Sequence, residues 1–362
     1  MGNPEPSTSF NKSLSTHLDE FYFQWHITEK CNMRCCHCYQ ANYDGKNEMS
    51  LQELKGVADE IFRALNKWQK KGRIALTGGE PLTSPKLFPL IKYLEKGDEI
   101  EKIGILTNGT LINEETIENI KAISKLHYIQ VSIDGATPET NDRIRGEGSF
   151  RKAINAIRLL NRNDITNRLM FTLHKGNAYE IDQLIDLSIS EGIDGITFER
   201  LIPCGQGKKM EKLILSPEEL KTSYQRISDR ADLEYERRSK LTILKLRTLF
   251  ACLDINGTRD GADIPFKKQL GAMCSVGIDS LCFLPDGTVL PCRRLNIPIG
   301  NLRTDSIFKI WYTSDLLWKI RDKRNLQGKC KECDLIPRCS GCRAMAFAVT
   351  GNYLAEDPQC WN

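Results

Sequence analysis

From Phe21 onward the chain alternates strand-like runs with amphipathic helical runs six times over, and no other feature restricts its fold as tightly. Phe21, Phe23, Trp25 and Ile27 recur at every second residue, the period of a strand. Further strand-like runs occur at Arg73–Leu76, Ile103–Thr107, Tyr128–Ile133, Leu169–Leu173 and Gly195–Phe198. Between them, apolar residues return at three- and four-residue spacing. The first helix starts with Ser50 and Glu53, a capping box, and continues through Leu54, Val57, Ala58, Ile61, Phe62 and Leu65. Similar runs lie near 86–96, 113–124, 150–162 and 180–191. Repeats of this length imply right-handed crossovers and a parallel sheet curved into a full or partial barrel. Functional residues are then expected where strands end.

A last helix is expected from Ser216-Pro217-Glu218-Glu219, running with few breaks towards Cys252. Beyond it the composition changes. Residues 270–362 carry eight of the fourteen cysteines, and Pro285-Asp286-Gly287 separates two short apolar runs as a hairpin turn would. The expected division is therefore a flexible tail at 1–20, a barrel at 21–207, a helical bridge at 208–269 and a cysteine-rich domain at 270–362.

The 51 basic and 47 acidic residues leave a formal charge of +4, too balanced to argue for nucleic acid, and Arg237-Arg238-Ser239-Lys240 reads as a solvated helix face. The sequence holds no apolar run long enough for a membrane span and no secretory signal. A cytoplasmic location is the resulting expectation. In that reducing setting, clustered cysteines point to metal ligation before disulfides.

Chemistry-bearing motifs sit at successive strand ends. After the first strand come Cys31, Cys35 and Cys38 in the spacing C-x3-C-x2-C. Three thiolates on one loop suit a four-iron cluster with one iron left open to a ligand. After the second strand stands Thr77-Gly78-Gly79-Glu80-Pro81, after the third Thr107-Asn108-Gly109, and by the fourth Ser132-Ile133-Asp134-Gly135. A zinc site on the same cysteines is the alternative, but zinc normally takes four protein ligands and does not predict Gly-Gly-Glu-Pro at the next strand end. Each motif alone is only a turn signal; their order raises their weight.

This ordered set resembles the radical S-adenosylmethionine (SAM) superfamily over residues 21 to about 207. The resemblance implies an α/β fold with a partial (β/α)6 TIM-like barrel. It further implies a [4Fe–4S] cluster on Cys31, Cys35 and Cys38, with SAM on the open iron. By the same resemblance Gly78, Gly79 and Glu80 would meet the methionyl amine, with Asn108 at the neighbouring strand end. Ser132 and Asp134 would address the ribose, Arg145 would pair with the SAM carboxylate, and the segment containing Leu201 would line the adenosine. His37 stands where the family has an aromatic residue beside the adenine, and Cys36 is read as facing away from the cluster.

The downstream cysteines resemble the SPASM extension of that family: Cys274, twelve residues to Gly287, four to Cys292, then Cys330-x2-Cys333-x5-Cys339-x2-Cys342, and Cys360. The resemblance implies two auxiliary [4Fe–4S] clusters, a distal one on Cys330, Cys333, Cys339 and Cys360 and a proximal one on Cys274, Cys292 and Cys342. Cys252 is the expected fourth proximal ligand, unless that position is open to substrate. Cys282 reads as a core residue and Cys204 as a residue near a strand end.

The implied chemistry is reductive cleavage of SAM followed by hydrogen abstraction, with an oxidative outcome; the catalytic residues themselves are not legible. The first expectation is oxidative modification of a ribosomally made peptide. The short tail before Phe21 leaves a leader-binding domain to a separate protein, and reduced flavodoxin or ferredoxin would supply electrons. The alternative is a small-molecule enzyme such as a haem-biosynthesis propionate decarboxylase, which asks for cations at the barrel mouth, with Arg145, Lys175, Arg200 and Arg293 as candidates. A non-catalytic iron–sulfur protein is the third.

Overall fold

The structure is a computed structural model that describes residues 19–244, 249–253, 274–336 and 339–362. The expected tail up to residue 18 and the boundary near 265–270 lie outside the described residues. Six parallel strands succeed one another in sheet order: β1 (Glu20–His26), β2 (Lys71–Thr77), β3 (Ile100–Thr107), β4 (Leu126–Ser132), β5 (Asn167–Leu173) and β6 (Gly195–Arg200). Each is one of the runs read from the sequence. Helices α1 (Leu51–Trp68), α2 (Leu87–Leu94), α3 (Glu114–Lys121), α4 (Pro138–Arg145), α5 (Ser149–Arg162) and α6 (Ile181–Ser190) fill the crossovers.

The alternation in β1 decides which side chains see the helices and which the barrel interior. Phe21, Phe23, Trp25 and Ile27 are buried; Phe21 stacks on Trp68 of α1 with ring centroids 4.7 Å apart. Tyr22, Gln24 and His26 occupy the alternate positions of the strand and so the opposite face. The capping box on α1 is present as expected, with Ser50 and Glu53 satisfying each other's backbone amides. Helix α4 was not legible. Its sequence, PETNDRIR, has little apolar periodicity, and its start is fixed by the Thr137 cap and Pro138 in the first turn.

One expectation is corrected. The helix at Ser216 forms with its own capping box, but α7 (Pro217–Glu236) stops well short of Cys252. The chain then adds a seventh parallel strand, β7 (Thr242–Leu244), beside β6. The cysteine-rich region continues the barrel sheet on its other side. Strand β8 (Ser280–Phe283) pairs in parallel with β1, and the expected hairpin through Pro285-Asp286-Gly287 adds β9 (Thr288–Leu290) and then β10 (Gly300–Asn301). Among the described residues the sheet has ten strands, in the order β10-β9-β8-β1-β2-β3-β4-β5-β6-β7. Phe23 and Phe283 meet at 5.4 Å, and Trp311 of α8 (Ile307–Thr313) reaches Phe21 at 5.0 Å, so both halves share one apolar seam.

That seam sets a stability prediction. Phe23 is fully buried, and Phe23→Ala should destabilise the protein by about 3–5 kcal/mol, read as a shift of the urea unfolding midpoint. A loss below about 1 kcal/mol would mean that the seam does not couple the two halves.

Candidate functional site

The loop that leaves β1 is anchored before it reaches its cysteines. Glu48 accepts from the Thr28 hydroxyl at 2.6 Å and the Glu29 amide at 2.8 Å, and pairs with Lys86 at 2.9 Å. Across from it, the Gly79 amide donates to Thr28 O at 2.8 Å and the Glu80 amide to Lys30 O at 2.9 Å. A Cβ on Gly79 would stand 2.3 Å from Lys30 O, and one on Gly78 would stand 2.4 Å from Thr28 O. The paired glycines are thus required by the approach of the cysteine loop itself.

Glu80 is fully buried and braces the ends of β2 and β3. Its oxygens accept from the Thr107 hydroxyl at 2.7 Å, the Asn108 amide at 2.7 Å and the Leu82 amide at 3.1 Å. Burial pushes its carboxyl up to about 7. Asn108 continues the brace by donating to Asn32 Oδ1, one residue past Cys31, at 2.9 Å.

Cys31, Cys35 and Cys38 face a shared space, in which burial is the largest influence on Cys31 and Cys35 and the neighbouring thiols add to it. Burial pushes Cys35 up to about 11. The amides of Met33 and Gln40 donate to the sulfurs of Cys31 and Cys38, each at 3.4 Å. Sulfurs that accept amide hydrogen bonds are suited to an iron–sulfur core, which makes thiolate ligands of them. The Cys36 thiol points instead to Ile144 O at 3.1 Å.

Next to this loop lies a buried ion network. Asp134 Oδ2 stands 2.6 Å from Arg145 Nε and 2.9 Å from His37 Nε2, and Asp134 Oδ1 accepts from the Thr172 amide at 2.8 Å. Arg145 holds the Asp134 carboxyl well below the usual carboxylate range despite its burial. Residues with separate expected roles toward SAM therefore pair with one another here. Ser132 ends β4, half-buried, and Leu201 is buried with its amide on Leu173 O at 3.0 Å. His174, which faces Asp134 and His37, is kept neutral by burial and accepts from the Gly176 amide at 3.0 Å.

The C-terminal cysteines divide into two sets. Cys274, Cys292 and Cys342 line one cavity together with Glu199, Arg200, Arg294 and Arg343. Cys330, Cys339 and Cys360 gather around Asp357, and Cys333 receives the Asn362 side chain at 3.5 Å. Cys252, expected at the first set, is hydrogen-bonded to Cys339 and Cys360 of the second, and its donation lowers Cys339 to about 7 and Cys360 to about 6. The short turn of 3-10 helix at Leu249–Leu253 delivers it there. Cys282 is buried in β8, and Cys204 lies among Arg294, Arg293, Cys292 and Cys38, between the N-terminal loop and the first C-terminal set. Among the described residues no three His, Cys, Asp or Glu side chains converge at the spacing of a single metal ion.

Arg343 serves both sets. It lines the cavity of Cys274, Cys292 and Cys342, its Nη2 lies 3.9 Å from Cys330 Sγ, and its Nη1 donates to Tyr353 O and Ala355 O at 3.0 and 2.6 Å. By contrast Arg200 pairs with Asp357 at 2.8 Å, Arg294 with Glu199 at 2.9 Å, and Lys175 with Glu219 at 3.4 Å. Of the four candidate cations for the barrel mouth, Arg145, Lys175 and Arg200 are thus each paired with a carboxylate. Glu48 carried no motif signal, whereas Arg343 and Asp357 stand in the runs Cys339–Ala344 and Gly351–Pro358, which resemble the haem-biosynthesis branch.

The Radical SAM superfamily matches residues 25–188, and SPASM, an iron–sulfur cluster-binding domain, matches residues 274–334. An AdoMet-dependent heme synthase of Methanosarcina barkeri is 31% identical, over 93% of this chain and 95% of that one. A Fe-coproporphyrin III synthase of the same organism is 30% identical, over 99% and 95%. Streptococcus suis SuiB bound to its precursor peptide SuiA shares the fold, with a TM-score of 0.75 at 19% identity over 97% of this chain and 79% of that one. Among the described residues no helix is long and apolar enough to cross a membrane.

The geometry makes the cysteine loop and the shared arginine testable. Gly79→Ala forces the loop away, so iron after anaerobic reconstitution should fall from about twelve to about eight atoms per chain, by loss of the four-iron cluster nearest the substitution. Arg343→Gln removes a buried cation beside both C-terminal sets. Both auxiliary clusters should become harder to reduce, by about tenfold in the one-electron equilibrium or roughly 59 mV, while Arg343→Lys retains most of the effect. Potentiometric titration combined with electron paramagnetic resonance checks this.

Proposed function

The chain belongs to the radical SAM superfamily and carries a C-terminal SPASM iron–sulfur domain, and from that premise we propose that it oxidatively removes the carboxyl group of a propionate side chain on a tetrapyrrole. The observation that carries this reading is the likeness to two tetrapyrrole enzymes at 31% and 30% identity, each matched over 95% of its length. The near-equal likeness to enzymes with different names supports the substrate class more than either particular product.

When bound, SAM and the iron–sulfur clusters supply the one-electron chemistry: abstraction of a hydrogen atom from carbon and a store for the electron released as the propionate becomes a vinyl group and carbon dioxide. Cys31, Cys35 and Cys38 would hold the SAM-binding cluster, with Cys274, Cys292 and Cys342 at the proximal and Cys330, Cys333, Cys339 and Cys360 at the distal auxiliary cluster. Gly78, Gly79, Glu80 and Asn108 hold the first loop in place. Arg145 would exchange its Asp134 partner for the SAM carboxylate, which frees an Asp134 oxygen for ribose hydroxyls beside Ser132 and Leu201. That exchange would keep the Arg145 charge compensated with and without SAM and leave Asp134 hydrogen-bonded. The C-terminal region is continuous with the barrel sheet through β8, and in this reading it would shield the mouth from water.

A peptide substrate is the second reading, favoured by likeness in fold to a chain solved with its precursor peptide. One experiment separates the two. The reconstituted protein is incubated without oxygen with SAM, a strong reductant and either iron coproporphyrin III or peptides encoded beside its gene. The expected result is 5′-deoxyadenosine together with a tetrapyrrole that has lost carbon dioxide and two hydrogen atoms, by mass spectrometry. A modified peptide beside an unchanged tetrapyrrole transfers the function to the second reading, and absence of 5′-deoxyadenosine rejects both.

A further inference from the structure

Among the described residues, Arg293 is an arginine near the ends of the barrel strands that pairs with no carboxylate. Arg145, Arg200 and Arg294 each pair with a carboxylate, and Arg343 is tied to two carbonyls while facing sulfur. Arg293 differs in its partners: among the described residues no carboxylate pairs with it, and its buried Nε, like that of Arg343, has no hydrogen-bond partner. The residue is half-buried, and an arriving carboxylate supplies the partner its guanidinium lacks.

The position of Arg293 is as informative as its charge. It comes directly after Cys292, yet its guanidinium lies 4.5 Å from the ring centre of Tyr39, the residue directly after Cys38. One side chain thus spans the gap between the N-terminal cysteine loop and the cavity of Cys274, Cys292 and Cys342. Stacking on Tyr39 occupies the face of the guanidinium and leaves its N–H donors in the plane, the arrangement that meets a carboxylate with two parallel hydrogen bonds. Tyr39 itself is held by Thr77 at the end of β2.

His26, at the end of β1, completes the wall. Its ring stands edge-on to Tyr39 at 5.7 Å, only 2% of the residue is exposed, and its Nε2 has no hydrogen-bond partner. Burial, reinforced by Arg293, keeps the imidazole neutral. The wall therefore offers one full charge with one further polar atom, which fits a single carboxylate.

We propose that Arg293, stacked on Tyr39 and flanked by His26, is the anchor for the substrate's reacting carboxylate, holding it between the N-terminal cysteine loop and the cavity of Cys274, Cys292 and Cys342. The assignment rests on the tetrapyrrole reading and adds to it the residue that selects which propionate reacts. Holding the carboxylate ionised matters, because the ionised form is the one that departs as carbon dioxide. The other propionates of such a substrate need no buried partner, which agrees with the internal pairing of Arg145, Lys175 and Arg200.

The test is a binding titration of the reconstituted enzyme under anaerobic conditions, monitoring the Soret band of iron coproporphyrin III and, in parallel, of its tetramethyl ester. Arg293→Gln should weaken binding of the acid by about ten- to a hundredfold, the range of a charge-assisted hydrogen-bonded contact, and leave ester binding unchanged. Arg293→Lys should fall between. Iron counts verify that each variant is loaded; where Arg293→Gln loses a cluster, the acid-to-ester affinity ratio of Arg293→Lys, expected below the wild-type ratio, decides instead. Wild-type binding with no loss in the variant overturns the anchor alone. The same holds if the only change is a shifted cluster potential, since Arg293 would then merely offset cluster charge. Failure of the wild type to bind iron coproporphyrin III overturns the tetrapyrrole reading and the anchor together.

Discussion

Two backbone hydrogen bonds, from Gly79 to Thr28 O and from Glu80 to Lys30 O, join the end of β2 to the cysteine loop, and the site is organised around that junction. A loop bearing three thiols that must present themselves to one cluster cannot be left to its own conformational entropy. Here the loop is held from both sides, by Glu48 at its root and by the glycine pair across from it. The absence of side chains at 78 and 79 permits the contact, and the buried Glu80 carboxylate then transmits it to Thr107 and Asn108 on the next strand. Asn108 returns to the loop through Asn32, so the brace closes on itself. Glu80 therefore supports the site through the backbone it fixes, beyond any charge it offers a ligand.

The parts of this arrangement that depend on local periodicity are readable from the sequence. Alternation in β1 and three- and four-residue spacing in α1 are direct imprints of burial on one face, and the Ser50 and Ser216 caps are chemistry between residues three apart. The features that escape such a reading are long-range or built from polar residues. Helix α4 lacks an apolar stripe because it is held through Asn141 and Asp142, whose side chains accept backbone hydrogen bonds at the turns on either side. The pairing of β8 with β1 joins segments more than two hundred residues apart, and no local pattern announces it. Cys252 shows the same limit. Its place in chain order, just ahead of Cys274, suggested the wrong partner set, because the turn that carries it packs beside Cys339 and Cys360.

The motif residues stand where the chain order puts them, but their present partners could not be inferred from it. Asp134, Arg145 and His37 come from a strand end, a helix end and the cysteine loop, and the structure joins them in one buried network. A free acid and a free base at these depths would each carry a large desolvation cost; pairing removes most of it until a ligand with both charges arrives. SAM carries an ammonium and a carboxylate, so the network is of a kind that can reorganise around it without stranding a charge.

Charge compensation also separates the arginines of the C-terminal half by function. Arg200 and Arg294 are neutralised by Asp357 and Glu199, and so stiffen the junction between β6 and the C-terminal cysteine sets. Arg343 is fixed by carbonyls, which orient a guanidinium without neutralising it, and its remaining charge is directed at sulfur. A residue held in that way changes the energy of whatever electron density collects on the neighbouring thiolates, and does so for two sites because it touches both. A cation placed beside both C-terminal sets would favour added electron density on either, while Arg293, against Tyr39, stands between them and the first cysteine loop.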